Sequence, residues 1–280
     1  MTQRIDDGPV TPRAGFFQRP NLGKAVLVIA AYLVFYLLVG QAVGALFGDR
    51  INKDDVLATG ASVFFAFILP IGIGGLALFG FTASVGWLRE VFGRQTVGGR
   101  PWMWIGPGLA LTAIVAHAAS TDWKSWRPEQ IALMAVFGLC VGFTEELATR
   151  GLAVRMLRGA DHSERFVMVV SSVLFSLMHV INLLSGMQAS TVLVTVVYTF
   201  GFGVCMYLTM RVTGTLWAAI LLHALTDPTT VLASGGVDKS VTQHSGGWSL
   251  VTAAATILMV VFAVVAVFLV RDDRRTTAQI

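Results

Sequence analysis

The most regular feature of the chain is the alternation of apolar runs with short polar segments. Eight runs are long enough to cross the roughly 30 Å apolar layer of a bilayer as helices, which takes about 20 residues each. They cover approximately residues 25–47, 57–81, 102–120, 131–153, 166–186, 190–210, 213–234 and 249–270. The pattern predicts an all-α fold, a polytopic membrane helix bundle of about eight transmembrane helices.

Composition and charge agree with this interpretation and add an orientation. Hydrophobic residues make up 55% of the chain and charged residues 13%, against about 25% charged residues in soluble domains. With eight spans, 15 Lys and Arg lie on the side of the termini and 5 on the other side, which predicts N-in and C-in topology. We therefore expect cytoplasmic tails at 1–24 and 271–280 around a transmembrane domain at 25–270. The net charge of +4 then requires no nucleic acid partner.

Three charged residues, Glu145, Glu146 and Arg150, lie in the fourth apolar run. A charged side chain at the bilayer centre costs roughly 2.5 to 3.5 kcal/mol, so such residues indicate a functional site. Glu146 and Arg150 are one helical turn apart and share a face, whereas Glu145 lies about 100° further round the helix. We expect Glu146 and Arg150 to brace the helix and Glu145 to face other helices. Gly138 and Gly142 predict close packing of a neighbouring helix just before this point.

Two later runs contain the polar residues that could face Glu145. The fifth run has His179 with Asn182 three residues later, and the seventh has His223 and Asp227 on one face. Pro228 follows directly, which predicts a kink and displacement of Asp227 from helical geometry. A single buried histidine is usually a packing residue, and Asn182 is predicted to make an interhelical hydrogen bond. Four ionisable groups on three spans instead predict a site, whose motif core we place at 130–234.

The order of these residues resembles a known family. Glu145-Glu146-xxx-Arg150, Phe175-xxx-His179 and His223-xxx-Asp227 are similar to the three motifs of the CPBP family. This family comprises the type II CAAX prenyl endopeptidases and their bacterial relatives in bacteriocin processing and self-immunity, also called Abi-like. The resemblance implies an all-α intramembrane protease whose first-motif glutamate activates water. Many relatives have Asn at the last position, where this chain has Asp227.

The same residues can be assigned chemical roles. Amide hydrolysis needs a base for water, donors for the oxyanion and an acid for the leaving amine. We assign Glu145 as the base, His179 as the proton carrier, His223 as the oxyanion donor and Asp227 as the group that orients His223. Alternatively Glu145, His179, His223 and Asp227 could hold Zn with a water in an open position. No HExxH motif is present, so we prefer a protein without cofactor over a zinc enzyme.

The expected partners are the lipid bilayer and a membrane-associated peptide or protein substrate, in an integral membrane protein of the bacterial plasma membrane. In that setting a prenylated CAAX protein is not an obvious substrate. Arg155, Arg158 and Arg165 are predicted topology determinants that could attract a substrate carboxylate. His117 is predicted to be a polar residue at the outer end of its helix. Two other classes stay open: a proton-coupled secondary transporter, and a noncatalytic membrane scaffold or immunity protein of the same fold.

Overall fold

The computed structural model describes residues 15–236 and 247–271, and within them the chain is all-α. Eight helices are long and apolar enough to cross a membrane, as predicted. In chain order they are α1 (Leu22–Arg50), α2 (Gly60–Ser84), α3 (Pro101–Ser120), α4 (Pro128–Gly159), α5 (Glu164–Ser185), α6 (Ala189–Thr213), α7 (Leu216–Ser234) and α8 (Gly247–Leu269). The predicted tails lie largely outside the described residues, and the N-in, C-in orientation stays a prediction.

The helices pack around α4, α6 and α7. Helix α4 packs against α7 and α2, α6 against α5 and α8, and α3 against α8, α7 and α6. Helices α6 and α7 are the most buried, while α1 and α8 are the least buried. Large apolar side chains with more than 70% exposure, such as Leu46, Leu76, Leu184 and Leu250, face outwards from the bundle. An apolar exterior of this extent is what a protein surrounded by lipid requires.

The closest approach of two helices near the predicted site is between α4 and α7. A Cβ atom at Gly142 would lie 2.7 Å from the carbonyl oxygen of Ile220 and 2.8 Å from the amide nitrogen of Ala224. At Gly138 a Cβ would collide with the Ala224 carbonyl oxygen and the Pro228 ring. The predicted close packing at these two glycines is confirmed. It holds α7 directly against the segment that leads to Glu145.

Helix α7 does not leave helical geometry at Pro228. It runs without interruption from Leu216 to Ser234, with Pro228 inside it. The expected displacement of Asp227 is therefore wrong. The ring of Pro228 instead faces Gly138 on α4, where the absence of a glycine side chain leaves room for it.

Two helices change their winding close to the charged residues. In α4 regular α-helix ends at Glu146, and the next seven residues, Leu147–Ala153, form a π-helical segment. In α5 regular α-helix ends at Met178 and continues as the 3₁₀ helix His179–Ser185. Single π-helical turns inside α-helices frequently occur at functional sites.

A short helix, Leu88–Phe92, connects α2 and α3. It is amphipathic, since Trp87 and Val91 are buried while Arg89 and Glu90 are exposed.

A buried ionic cluster ties together the start of α5 and the ends of α4 and α6. The carboxylate of Glu164 accepts hydrogen bonds from Arg158 Nε and Nη2, both at 2.9 Å, and from Arg211 Nη1 at 3.2 Å. The hydroxyl of Tyr207 also donates to it. Arg211 Nε donates to the Gly98 carbonyl at 2.8 Å, which links the α2–α3 connection to the cluster. The Glu164 carboxylate thus pairs with two guanidinium groups, which offsets the cost of burying it.

Candidate active site

Glu145 lines a cavity of about 230 Å³ between the helices. Its side chain is 18% exposed. The wall is formed by residues of α1, α2, α4, α5 and α7: Tyr32, Leu33, Tyr36, Phe67, Ile71, Phe137, Val141, Glu145, Met178, His179, Ile181, Asn182 and Asp227. Three helices distant in sequence, α4, α5 and α7, thus bring four predicted site residues to the same cavity: Glu145, His179, Asn182 and Asp227. Their roles in a reaction stay predictions.

His223 lies behind this cavity, in contact with three carboxylates. Its Nε2 atom is 3.9 Å from Glu145 Oε2 and 3.7 Å from Asp227 Oδ2. Its Nδ1 atom is 2.8 Å from Glu146 Oε1. Only the contact with Glu146 has hydrogen-bond length, since 3.7 Å is too long for a direct bond. The Nδ1 atom of the imidazole is therefore hydrogen-bonded to buried Glu146, and Nε2 faces Glu145 and Asp227, the two carboxylates that border the cavity.

The hydrogen-bond partner of His223 is Glu146, whereas Asp227, which the sequence predicts as the orienting group, is 3.7 Å from Nε2. The i,i+4 spacing correctly brings Asp227 to the face of α7 that carries His223. The imidazole, however, turns its Nδ1 atom towards α4, where Glu146 is fully buried. Glu146 also accepts a hydrogen bond from Arg150 Nη1 at 3.0 Å. Beside this guanidinium Glu146 is a carboxylate, and His223 Nδ1 therefore donates to it.

Arg150 joins this carboxylate to the core of the bundle. Its Nη1 atom also contacts the Thr149 hydroxyl at 2.7 Å, and its Nη2 atom donates to the Gly203 carbonyl at 2.8 Å. The guanidinium carbon lies 4.4 Å from the centre of the Phe175 ring. The predicted bracing contact between Glu146 and Arg150 is present, and it extends to α6 and, through Phe175, to α5.

Phe175 contacts Arg150 and both histidines. Its ring makes edge contacts with His179 and His223, at centroid distances of 5.1 Å and 5.6 Å. Phe202 makes a similar contact with His223 at 5.0 Å. Aromatic rings at these distances fix the planes of both imidazoles. The aromatic residue that begins the second motif thus positions the two histidines.

His179 has a defined tautomer in its neutral form. Its Nδ1 atom is 3.1 Å from the Phe175 carbonyl oxygen. A carbonyl oxygen only accepts hydrogen bonds, so Nδ1 carries a proton. The lone pair of the neutral ring is then on Nε2, which leaves this nitrogen for a water or a substrate.

Sequence reasoning missed the contribution of α1. Tyr32 is buried and Tyr36 half-buried, and both line the cavity with Glu145. The only signal was two phenol groups one turn apart in an otherwise apolar run. By contrast, His117 does not line this cavity, and its Nδ1 atom is 3.2 Å from the Thr230 hydroxyl.

The four residues proposed as zinc ligands do not form a metal site as they are arranged here. Among the residues that the structure describes, no group of three His, Cys, Asp or Glu side chains could hold a metal ion. Zinc ligands lie about 2.0 to 2.2 Å from the ion for nitrogen and oxygen. His223 brings one nitrogen near Glu145 and Asp227, at 3.9 Å and 3.7 Å, and its other nitrogen bonds to Glu146. The geometry does not support a metalloprotease.

Residues 127–229 match a family model described as type II CAAX prenyl endopeptidase, Rce1-like. The matched segment begins just before α4 and ends inside α7. It contains all seven residues assigned to the site or its support, from Glu145 to Asp227. No curated protein and no solved structure matches the chain.

Proposed function

We propose that this multi-pass membrane protein, whose residues 127–229 match the model of the type II CAAX prenyl endopeptidase Rce1-like family, is an intramembrane endopeptidase. It hydrolyses a peptide bond in a membrane-associated polypeptide with a water molecule activated by Glu145. The observation that carries this proposal is the difference between the two neighbouring glutamates. Glu146 is fully buried and paired with Arg150, whereas Glu145 lines the cavity with no Arg or Lys partner among the described residues.

Glu145 acts as the general base. Its carboxylate takes a proton from water, and the oxygen attacks the carbonyl carbon of the scissile bond to form a tetrahedral intermediate. When the carbon–nitrogen bond breaks, the amine receives this proton, which His179 Nε2 passes from Glu145. One water is consumed, and the products are a carboxylic acid and an amine. A base and an acid positioned in this way each contribute about 10²- to 10⁴-fold in rate.

His223 stabilises the oxyanion. Because its Nδ1 atom donates to Glu146, Nε2 can donate only when the ring carries a second proton. The positive imidazolium is balanced by Glu146 on one side and by Glu145 and Asp227 on the other. Transfer of a proton from water to Glu145 then leaves the imidazolium opposite the developing negative charge on the substrate oxygen.

The substrate is a peptide segment at or in the bilayer. The cavity has aromatic and aliphatic walls with polar groups at one place, which suits a polypeptide bound with little water. We propose the bacterial plasma membrane as its location. The alternative functions make different demands on Glu145. A scaffold does not need this carboxylate, whereas a transporter needs it to carry a proton and cleaves no peptide.

The test uses purified full-length protein in detergent and a library of quenched membrane peptides. The variants are Glu145→Gln, His179→Gln and, as a control, Glu129→Gln, which changes an exposed carboxylate of the same helix. Bound zinc is measured by mass spectrometry in each preparation. We expect cleavage by wild type and Glu129→Gln, and a loss of about 10³-fold or more in kcat/KM for Glu145→Gln.

Three results would contradict the mechanism. Cleavage that follows zinc content and returns with added zinc would make these residues metal ligands. Undiminished cleavage by Glu145→Gln would assign the base to another residue. If the folded wild-type protein cuts no peptide, the scaffold and transporter functions become the better explanations.

A further inference from the structure

A second pocket, of about 310 Å³, lies at the end of α4 that is remote from Gly138. It is larger than the cavity at Glu145 and is lined by the α2–α3 connection and the last two turns of α4. Its lining comprises Glu90, Val91, Arg94, Gln95, Thr96, Arg150, Gly151, Val154, Arg155, Arg158 and Gly159. Four of these residues are arginines and one is a carboxylate.

Two of the arginines are paired with buried carboxylates next to the pocket, Arg150 with Glu146 and Arg158 with Glu164. Arg155 is paired with Glu90, the only carboxylate of the lining, at 2.8 Å. Arg94 is exposed, and none of the carboxylates that the structure describes forms an ion pair with it. Arg94 therefore brings an unpaired positive charge to the pocket.

The pocket also offers hydrogen-bond donors of Arg155. Its Nε atom is 2.8 Å from Glu90 Oε2, whereas its two Nη atoms form no hydrogen bond with the residues that the structure describes. Arg150 contributes less, because its side chain is fully buried. The guanidinium of Arg155 is fixed by stacking 3.7 Å from the centre of the Trp87 ring. The Nη atoms of Arg155 and the exposed guanidinium of Arg94 can donate to an anion with several oxygens.

The position of the pocket indicates where this anion comes from. It lies at the level where α4 ends and next to the short helix Leu88–Phe92, so it is at the boundary of the apolar part of the bundle. Phe92 contacts Trp217, which is 46% exposed, at a centroid distance of 5.2 Å. Exposed tryptophans are typical of the headgroup level of a bilayer, and basic pockets between transmembrane helices bind anionic headgroups.

We propose that this pocket binds the phosphate group of an anionic phospholipid through Arg94 and Arg155. Arginine suits this ligand because its planar fork donates two parallel hydrogen bonds to phosphate oxygens. Glu90 limits the affinity, because its carboxylate occupies one side of Arg155. This proposal concerns binding and does not depend on the peptidase activity.

Native mass spectrometry of the full-length protein in detergent tests it. Phosphatidylglycerol and phosphatidylcholine with the same acyl chains are titrated separately, and the retained lipid is measured for wild type, Arg94→Gln, Glu90→Gln and Arg89→Gln. Arg89 is the matched control, because it is an exposed arginine on the adjoining short helix that does not line the pocket. A second series adds inorganic phosphate or glycerol phosphate as competitors.

We expect one phosphatidylglycerol to bind preferentially per chain. Arg94→Gln should weaken its retention about fivefold, the effect of removing one basic residue near a charged headgroup. Glu90→Gln should strengthen retention by a similar factor, and Arg89→Gln should leave it unchanged.

Equal retention of the two lipids would overturn the proposal. Equal weakening by Arg89→Gln and Arg94→Gln would do the same, since it would indicate diffuse attraction by surface charge. Displacement of the lipid by millimolar inorganic phosphate would show that free phosphate, and not a headgroup, is the preferred ligand.

Discussion

The contacts of Glu146 with Arg150 and His223 allow us to predict how much Glu146→Gln lowers the free energy of unfolding and the catalytic rate. The amide has nearly the same shape as the carboxylate but removes the charge that faces Arg150 Nη1 at 3.0 Å and His223 Nδ1 at 2.8 Å. Both partners are buried, so an uncompensated guanidinium remains. Removing one member of a buried ion pair costs about 3 to 5 kcal/mol. The Thr149 and Gly203 oxygens stay bonded to Arg150, which favours the lower end of this range.

The same substitution should also reduce the catalytic rate of the folded protein. An amide beside His223 can donate to Nδ1 and so stabilise the tautomer that has its proton on Nε2, without the balancing negative charge. The Nε2–H of the neutral ring can still donate to the oxyanion, but the ring has lost its positive charge, and complete removal of one oxyanion donor costs about 10²- to 10³-fold in kcat. The proposed mechanism therefore predicts a loss of up to about 10²- to 10³-fold in kcat for Glu146→Gln. A residue that only braces the helix would lower stability and leave kcat per folded molecule unchanged.

Two further variants separate the two effects. Glu164→Gln removes a fully buried carboxylate from Arg158 and Arg211, in a cluster that does not line the cavity. It should lower the free energy of unfolding by about 3 kcal/mol or more while kcat stays close to wild type. The double variant Glu146→Gln, Arg150→Met removes both charges of the pair, so it should recover stability but not activity.

The assay measures unfolding by denaturant titration in mixed micelles, together with kcat and KM on one peptide identified in the library screen. Rates are normalised to the folded fraction. If the double variant regains both stability and kcat, Glu146 serves only as the counterion of Arg150. The orienting role assigned to it would then be refuted.

Two other predictions concern α7. Gly138→Val should destabilise the protein by about 1 to 3 kcal/mol and lower activity, because its side chain would displace Ala224 and Pro228. The control in the same unfolding and cleavage assays is Gly80→Val. It is the same glycine-to-valine substitution, but the space around the Cβ position is open. Asp227→Asn should retain activity within about tenfold, since an amide can still contact His223 Nε2 and can donate to the oxyanion. A loss comparable to that of Glu145→Gln would instead show that the charge of Asp227 is required.

The features of the fold that could be predicted from sequence are those set by local periodicity. Apolar runs of bilayer length predicted all eight helices, and the spacing of Gly138 and Gly142 predicted where another helix approaches. The i,i+4 spacing predicted the contact between Glu146 and Arg150 for the same reason, since both residues lie on one helix. These arguments need only helical geometry and the chemistry of the solvent.

The contacts that were missed connect helices distant in sequence. Nothing local distinguishes Glu146 from Asp227 as the partner of His223, because the choice depends on how α7 is rotated against α4. That rotation is set by the two glycines and by the packing of Phe175 and Phe202 around the imidazole. The contribution of Tyr32 and Tyr36 was missed for a similar reason, since α1 lies outside the segment that carries the motifs. The continuity of α7 at Pro228 also depends on a partner, because the space for the ring is provided by Gly138.

The proposed role of Glu146 also makes Asp227 compatible with the motif that the sequence resembles, in which Asn is common at this position. If position 227 had to hold the imidazole, an exchange of carboxylate for amide would reverse the hydrogen bond and change the tautomer of His223. Here Glu146 fixes Nδ1 from the buried side, and the side chain of Asp227 is 35% exposed and 3.7 Å from Nε2. Position 227 is then free to vary between groups that border the cavity. An ionised Asp227 cannot donate to the oxyanion, so in this chain the proposed stabilisation rests on the imidazole of His223 and thus on the carboxylate behind it.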